Sequence, residues 1–573
     1  MLKFCIFTKF INIKPHIIMS AQLKIFCKNI NRYIPFDGGE TLSEILKRVC
    51  DEISFTPICA RVNNKTEDLQ YAVFAPKQVE YLPVTTASGM RVYTRSLCMM
   101  LYRALVECYP GTRLNICHSI SKGYYCRLDN IAVTDEVVEN LREAMRRLVE
   151  RDVAFERKER LTADVKEMFR KEGLDDKVQL LDTIHDLYTV YYRLDGVIDT
   201  YYGPLAPSTG FLRCFDLRRY HEGFLLLGCD HSCPDVPAQP ITQEKMYNAF
   251  TEYVAFNHII GIRNVGELNK STEENRSGEL INVAEALHDK KIASIADEIK
   301  RRYEAGGARV VMIAGPSSSG KTTFTKRLAI YLLTNLLKPK MISLDNYFVD
   351  RVNTPRDESG DYDYESLYAL DLQQFNSDLR RLIAGEEVEL PTYSFEHGHR
   401  LYKGERLQLD DRSILLIEGI HGLNPELTSE IEDGMKYRIY VSALTTLAID
   451  DHNWVPTTDN RLLRRIIRDH KYRGTSAMET IRRWPSVRRG EERWIFPYQE
   501  NADSTFNSSL IFELGVMREY GEGLLKNFPR DTPEYAEAYR LMKFLSYFAP
   551  IPGRDIPPTS LLREFLGGSS FHY

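Results

Sequence analysis

The sequence has no run of about 18 or more apolar residues, so it offers no segment that could form a transmembrane helix. Its formal net charge of −5 is small for 573 residues, which excludes a general attraction of the whole chain to nucleic acid. Its 11 cysteines are scattered singly, which excludes a dense disulfide framework and favours a reducing, cytoplasmic location. We interpret Cys229 and Cys233 as ordinary loop thiols, because a metal site there would need ligands from elsewhere.

The first 20 residues also lack acidic side chains, and Lys9, Lys14 and Pro15 interrupt their apolar runs. A signal or transit peptide is therefore weakly supported, since no cleavage site of small residues follows. We interpret residues 1–20 as an N-terminal extension, with translation starting at Met19 and residues 1–18 left untranslated. Mass spectrometry of the protein from its native cell would contradict this if it found peptides from residues 2–18.

One stretch, residues 310–333, combines a strand, a glycine loop and a helix. Residues 310–314 form the apolar run that is typical of a buried parallel strand. The following residues fit G-x-x-x-x-G-K-[ST], whose backbone N–H groups cradle phosphates. We predict nucleotide contacts from Gly315, Pro316, Ser317, Ser318, Ser319, Gly320, Lys321, Thr322 and Thr323. Lys321 would contact the β- and γ-phosphates, and Thr322 would bind Mg²⁺. A glycine turn that binds nothing is the alternative, and the loop alone does not separate a kinase from an ATPase or a GTPase.

Two carboxylates follow other apolar strands, Asp345 after residues 340–344 and Glu418 after residues 413–417. Ligands bind at the carboxyl ends of parallel strands, so we expect both carboxylates beside the γ-phosphate. Asp345 would accept the proton of an attacking hydroxyl, which is typically worth about 10²–10⁴ in rate. Glu418 would hold Mg²⁺ or its water. The alternative for each is a cap on a helix or strand end.

Residues 461–493 contain eleven Lys or Arg and four Asp or Glu, a local excess of basic charge. Arg464, Arg465 and Arg468 lie on a predicted helix that Arg473 follows, and we predict that this segment is a lid that closes on phosphates, because guanidinium groups bind transferring phosphates. RNA binding is the competing interpretation, since Trp484 and Trp494 lie among these arginines and could stack on bases.

Further motifs extend this pattern over residues 309–515, and together they resemble the phosphoribulokinase/uridine kinase family. They are Ser343-Leu-Asp-Asn-Tyr-Phe, Asp361-Tyr-Asp-Tyr-Glu-Ser, Leu390-Pro-Thr-Tyr-Ser-Phe, Ile417-Glu-Gly-Ile and Arg461-Leu-Leu-Arg-Arg-Ile-Ile-Arg-Asp. The resemblance implies an α/β P-loop domain with a parallel sheet, ATP as phosphate donor, Mg²⁺, and a nucleoside such as uridine or cytidine as acceptor. It implies that Asp345 takes the 5′-hydroxyl proton, Asp363 holds the ribose and Tyr393 lines the nucleoside pocket. It also implies that Arg465, Arg468 and Arg473 bind phosphates from the lid. We add Tyr347, His397 and His399, which neighbour these motifs, as substrate-binding residues.

Two positions depart from the uridine kinase pattern. Its pocket histidine is Gly398 here, between His397 and His399, and the second arginine of its lid motif is Thr475. Both changes affect base and sugar recognition rather than phosphate handling. We therefore predict an ATP-dependent kinase first and a nucleoside acceptor second. A kinase for a non-nucleoside alcohol and a nucleotide-dependent RNA-binding or regulatory protein are the alternatives.

Residues 21–268, N-terminal to the kinase-like region, resemble a different family. Phe36-Asp-Gly-Gly-Glu-Thr-Leu-Ser-Glu-Ile-Leu, with a predicted capping box at Thr41 and Glu44, resembles the small β-grasp TGS module of threonyl-tRNA synthetases. Another small β-grasp interaction domain is the alternative. Residues 86–268 resemble the second, α+β, N-terminal domain of those synthetases. Two editing histidines of that domain are Arg95 and Met99 here, so we expect a binding or scaffold role instead of editing.

The predicted order is therefore a TGS-like domain at residues 21–85, a synthetase-like domain at 86–268, a polar linker at 269–277 and a P-loop kinase domain with C-terminal helices at 278–573. The predicted partner is a small-molecule nucleoside, with no membrane. RNA as a partner, oligomerisation and ATP versus GTP are left open.

Overall fold

The structure is a computed structural model that describes residues 22–230, 233–358, 360–394 and 396–572, so the interpretation of residues 1–20 lies outside it. The described residues form 23 strands and 15 α-helices. The strands are β1 (Lys24–Cys27), β2 (Arg32–Pro35), β3 (Glu40–Thr41), β4 (Cys59–Val62), β5 (Lys65–Glu67), β6 (Ala72–Val73), β7 (Gln78–Leu82), β8 (Leu114–Ile120), β9 (Gly123–Leu128), β10 (Glu156–Leu161), β11 (Tyr188–Leu194), β12 (Val197–Asp199), β13 (Asp216–Tyr220), β14 (Gly223–Leu227), β15 (Val310–Ala314), β16 (Lys338–Ser343), β17 (Val388–Ser394), β18 (His399–Leu407), β19 (Ser413–Glu418), β20 (Lys436–Ser442), β21 (Ala448–Asp450), β22 (Asn453–Trp454) and β23 (Ser504–Asn507). The helices are α1 (Leu42–Leu46), α2 (Ala87–Cys108), α3 (Asp135–Arg151), α4 (Thr162–Lys171), α5 (Asp175–Thr183), α6 (Glu244–Ile260), α7 (Val265–Glu273), α8 (Ser277–Glu304), α9 (Lys321–Thr334), α10 (Leu372–Ile383), α11 (Thr457–Tyr472), α12 (Ala477–Trp494), α13 (Glu513–Lys526), α14 (Tyr535–Leu545) and α15 (Arg563–Leu566). No helix among the described residues is long and apolar enough to cross a bilayer.

The N-terminal sheet has the β-grasp arrangement. Its strand order is β2-β1-β7-β4-β5, with β1 and β7 parallel and the remaining pairs antiparallel. Helix α1 packs Leu42 and Ile45 under this sheet, and its start has the capping box expected from Thr41 and Glu44. The small β-rich module predicted from the sequence is therefore present.

Residues 87–227 form an α+β region. Two antiparallel sheets, in the orders β13-β14-β9-β8 and β10-β11-β12, surround the long and largely buried helix α2. Helix α3 buries Val138, Leu141 and Leu148 against the same core, and its charged residues face outward.

Residues 269–277, for which the sequence favours a linker, are instead mostly helical. Residues up to Glu273 belong to α7, and Ser277 begins α8. Asn269 is buried, donates to the Tyr547 carbonyl at 2.8 Å and accepts from the Ala549 N–H at 2.7 Å. A polar side chain that satisfies two backbone groups explains why a polar sequence is packed here.

The C-terminal sheet is parallel, in the order β16-β19-β15-β20-β23. Side chains alternate along β15, so Val311 and Ile313 pack with α8 and α9, whereas Val310 and Met312 pack with α10. Helices on both faces of a parallel sheet give the α/β architecture that the sequence predicts.

The hairpin β21–β22 packs against the front region, residues 22–268, through buried charged groups. Lys177 Nζ lies 2.8 Å from a carboxylate oxygen of both Asp199 and Asp450. His452 Nδ1 lies 2.7 Å from the other oxygen of Asp199. Because each buried charge has an opposite partner, the cluster holds the two regions in one orientation.

Candidate active site

The phosphate loop follows β15 and leads into α9, as predicted. Gly315 has to be glycine because a Cβ there would lie 1.9 Å from the Val441 carbonyl oxygen. Gly320 is the residue before α9 and has a φ of +84°, the left-handed region that favours glycine. Lys321 Nζ donates to the Pro316 carbonyl at 3.1 Å, so the lysine lies back over the loop.

Glu418 ends β19 beside this loop. Its Oε1 accepts from the Thr322 hydroxyl and from the Ser343 hydroxyl, both at 3.3 Å. Burial and the nearby Asp345 charge raise the pKa of Glu418 to about 7, although Lys321 opposes the shift. The structure therefore brings together the two residues that the sequence proposes for Mg²⁺, Thr322 and Glu418, and adds Ser343. Carboxylate and hydroxyl oxygens are the ligands that Mg²⁺ accepts, so this set fits the ion.

Asp345 follows β16, the edge strand next to β19. Its side chain is exposed, as a group that meets an incoming substrate would be. Burial lowers the pKa of Lys321, and the charges of Glu418 and Asp345 act against that shift, so the two carboxylates lie around the lysine. Asp345, Glu418 and Lys321 thus share one edge of the sheet.

The predicted lid arginines meet at a single aspartate. Arg465, Arg468 and Arg473 each lie within 4 Å of a carboxylate oxygen of Asp469, at 3.3, 2.8 and 3.7 Å. Arg465 also donates to the Ser317 hydroxyl at 3.0 Å, which joins α11 to the phosphate loop. This is the position from which guanidinium groups can close on phosphates.

The two tryptophans of this segment pack against neighbouring side chains of the protein. Trp484 is buried, and the guanidinium of Arg461 lies 5.4 Å from its ring centre. Trp494 packs edge-on against Tyr368, with Arg493 over its ring at 4.9 Å. Trp484 and Trp494, which favoured RNA binding in the sequence, therefore take part in the protein's own packing.

The predicted acceptor-binding residues lie on the 361–371 segment and at the hairpin β17–β18. Asp363 is half-buried, and its Oδ1 accepts from the Glu365 N–H at 3.2 Å. Tyr393 is buried on β17 and has a side-chain hydrogen bond with Arg351. His397 and His399 are exposed at the hairpin turn, where His397 Nδ1 lies 2.9 Å from the Ser394 hydroxyl.

Gly398, where the uridine kinase pattern has histidine, is packed against an arginine. A Cβ at Gly398 would lie 2.9 Å from both Cβ and Nε of Arg351. The backbone N–H of Arg351 donates to the Gly398 carbonyl at 2.7 Å. The volume of a side chain at this position is thus taken by Arg351.

Tyr347, which the sequence analysis predicts to bind substrate, faces the core in this structure. Tyr347 is buried, its hydroxyl donates to Asp378 at 3.1 Å, and its ring meets Phe375 edge-on. The cause is the 3₁₀ turn Leu344–Tyr347, which places residues three apart on one side, so that Leu344 and Tyr347 both face the core.

Glu365 and His421 are polar residues of the site that sequence reasoning missed. His421 is buried and Glu365 is half-buried, and within the described residues the shielded Oε2 of Glu365 lacks a hydrogen-bond partner. Burial raises the pKa of Glu365 to about 7, and Arg465 and Lys321 act in the opposite direction. Their sequence signal was their position, two residues after Asp363 and three after Glu418.

Glu365 predicts a pH dependence of stability. Its folded-state pKa of about 7 exceeds the ordinary 4.5, so the folded state holds this proton between those values. Stability therefore falls as pH rises from about 4.5 to 7, and the loss is complete above the folded-state pKa. In urea unfolding at pH 5 and pH 8, Glu365→Gln should lose less stability over this interval than the wild type. The exposed Glu358→Gln is the control, and equal losses in all three proteins would contradict the assignment.

The residues that replace the editing histidines lie in the core of the front region. Arg95 is buried and donates to the Pro204 carbonyl at 3.2 and 3.0 Å, and Met99 is fully buried. His118 is buried and stacks on Phe250 at 3.6 Å. These side chains serve packing.

Residues 310–510 match the model of the Phosphoribulokinase / Uridine kinase family. The chain is 29% identical over 195 residues to a uridine kinase of Staphylococcus epidermidis, covering 34% of this chain and 84% of that protein. Its N-terminal part is similar to a threonine–tRNA ligase of Rubrobacter xylanophilus, with 28% identity over 182 residues. That match covers 32% of this chain, and the chain spans only about 28% of the ligase. A solved possible uridine kinase from Bacillus stearothermophilus is 20% identical, covers 37% of this chain and 97% of that one, and has a TM-score of 0.25.

Proposed function

We propose, from the match of residues 310–510 to the phosphoribulokinase/uridine kinase family, that this protein transfers the γ-phosphoryl group of ATP to a hydroxyl of a small molecule. The observation that carries the proposal is the order of three adjacent strands. The phosphate loop follows β15, Glu418 ends β19, and Asp345 follows β16. Parallel strands bring these groups to one edge, where a nucleotide phosphate and an acceptor can meet.

Each residue has a role in this reaction. The loop N–H groups and Lys321 would bind the phosphates. Thr322 and Glu418 would hold Mg²⁺, which would neutralise phosphate charge. The exposed carboxylate of Asp345 would accept the proton of the acceptor hydroxyl. Arg465, Arg468 and Arg473 would stabilise the charge that develops on the transferred group.

We further propose that the acceptor is a nucleoside phosphorylated at its 5′-hydroxyl. The support is the Asp363 and Tyr393 pair on the acceptor side, together with the similarity to uridine kinases. Asp363 would accept hydrogen bonds from ribose hydroxyls. The side chain of Arg351 packs against Gly398. It would bind the base or sugar from a direction that differs from the uridine kinase pattern.

A nucleoside panel tests this acceptor. ADP formation from ATP and Mg²⁺ is measured with uridine, cytidine, adenosine and guanosine, and with 5′-deoxyuridine, which lacks only the reacting hydroxyl. At least one ribonucleoside should stimulate ADP formation, and 5′-deoxyuridine should not. Stimulation by none of them, but by another alcohol, would reject the nucleoside and retain the kinase.

The front region has no proposed chemistry of its own. Its similarity to part of a threonine–tRNA ligase and the buried cluster around Lys177 support a scaffold role for the kinase region. If it instead binds tRNA, binding should weaken steeply with added salt, because phosphate contacts release counterions.

A further inference from the structure

The C-terminal segment, residues 555–572, packs against the phosphate loop. Leu561 is fully buried, and its Cδ2 lies only 2.6 Å from where a Cβ at Gly320 would stand. Phe565, four residues further on, packs against the Arg464 guanidinium at 5.1 Å. The segment therefore touches both the loop and the helix α11 that carries the lid arginines.

Glu564, at the centre of this segment, is bonded to the start of α9. Its Oε2 accepts from the Thr323 hydroxyl at 2.6 Å and from the Thr323 N–H at 3.4 Å. The first N–H groups of a helix lack partners within the helix and carry partial positive charge, which is why phosphate oxygens bind there. The carboxylate thus occupies donors of the same kind that a nucleotide would use.

The carboxylate of Glu491 accepts a similar backbone hydrogen bond at the other end of the loop. The Ser317 N–H donates to Glu491 Oε1 at 3.3 Å, and Glu491 is held in place by the buried Arg461. The phosphate cradle is therefore bonded to protein carboxylates at both ends. Only Glu564 is on a short terminal element, the four-residue α15, which glycines at 567 and 568 follow.

We propose that Glu564 competes with a nucleotide phosphate for Thr323, so that the C-terminal segment inhibits nucleotide binding until Glu564 withdraws. The inference rests on the proposed nucleotide site. Two anions cannot share the Thr323 N–H and hydroxyl, and the repulsion between them is strong in a partly buried cleft. The remaining contacts of the segment, such as the two Arg563 hydrogen bonds to the Gly553 and Ile556 carbonyls, keep Glu564 close enough to return.

Nucleotide affinity of charge-neutral variants tests this competition. Glu564→Gln keeps the shape and removes the charge, and Asp555→Asn, an exposed position of the same segment, is the matched control. Isothermal titration with ATP and Mg²⁺, and separately with inorganic tripolyphosphate, should show binding to Glu564→Gln at least about fivefold tighter than to wild type. Asp555→Asn should bind like wild type.

The outcomes separate this inference from the proposed function. If Lys321→Ala abolishes binding but Glu564→Gln matches wild type, the inference is overturned and the nucleotide site stands. Weaker binding by Glu564→Gln also overturns it, because Glu564 would then assist the nucleotide. If neither wild type nor Glu564→Gln binds, the carboxylate is not the barrier and the proposed function fails as well.

Hydrogen exchange of the unaltered protein gives an independent test. Displacement of Glu564 should remove the contact that ties α15 to α9, so the amide exchange of residues 563–566 should become faster when ATP and Mg²⁺ are added. Unchanged or slower exchange in this segment would show that nucleotide binds without moving it, which overturns the inference.

Discussion

Asp345→Asn should lower the turnover of acceptor phosphorylation at least about 100-fold while leaving the fold intact. The amide has nearly the same shape as the carboxylate but cannot accept the proton of the acceptor hydroxyl. Asp345 is exposed, so its replacement removes no buried contact. The loss should appear in kcat, with ATP affinity changed little, because Asp345 is assigned to the acceptor and not to the nucleotide.

Asp411→Asn is the matched control for this experiment. Asp411 is also exposed, but it precedes β19 and so lies at the opposite edge of the same sheet. It should retain wild-type turnover and the same far-UV circular dichroism. Full activity of Asp345→Asn would remove Asp345 from the role of base.

Lys321→Ala should also lower turnover at least about 100-fold, and unlike Asp345→Asn it should weaken ATP binding. Lys321 is the side chain of the loop that can reach the β- and γ-phosphates. Its removal also leaves Glu418 and Asp345 without the lysine charge that now lies between them. Both effects act on the phosphate site, so binding and turnover should fall together.

Lys290→Ala, an exposed lysine of α8, is the control for Lys321→Ala and should behave as wild type. Titration with ATP and Mg²⁺ reports binding, and steady-state ADP formation reports turnover. Wild-type turnover in Lys321→Ala would show that the phosphate loop takes no part in the reaction.

The parts of the site that the sequence predicts well are those fixed by short, local patterns. The glycines at 315 and 320, the strand before them and the helix after them follow from steric and periodic constraints within 24 residues. Asp345 and Glu418 could be placed because parallel strands have their carboxyl ends on one edge. No pattern of that kind gives the order β16-β19-β15, which sets Glu418 between the other two groups.

The parts that the sequence did not reveal depend on long-range contacts or on side-chain direction. Tyr347 stands beside Asp345 in sequence, yet the 3₁₀ turn directs it into the core towards Asp378. Glu564 is 241 residues from Thr323, and no local pattern brings the two together. Asn269 belongs to a polar stretch typical of a linker, but its partners are backbone groups near residue 548.

The central claim is that a hydroxyl of a small molecule receives the γ-phosphoryl group at this edge of the sheet. The most direct measurement is mass spectrometry of the acceptor after incubation with ATP, Mg²⁺ and enzyme, with ADP quantified in the same reaction. We expect one phosphorylated acceptor for each ADP with wild type, and almost none of either with Asp345→Asn. ADP that forms without a phosphorylated acceptor, at the same rate in both proteins, would contradict the claim and indicate an ATPase.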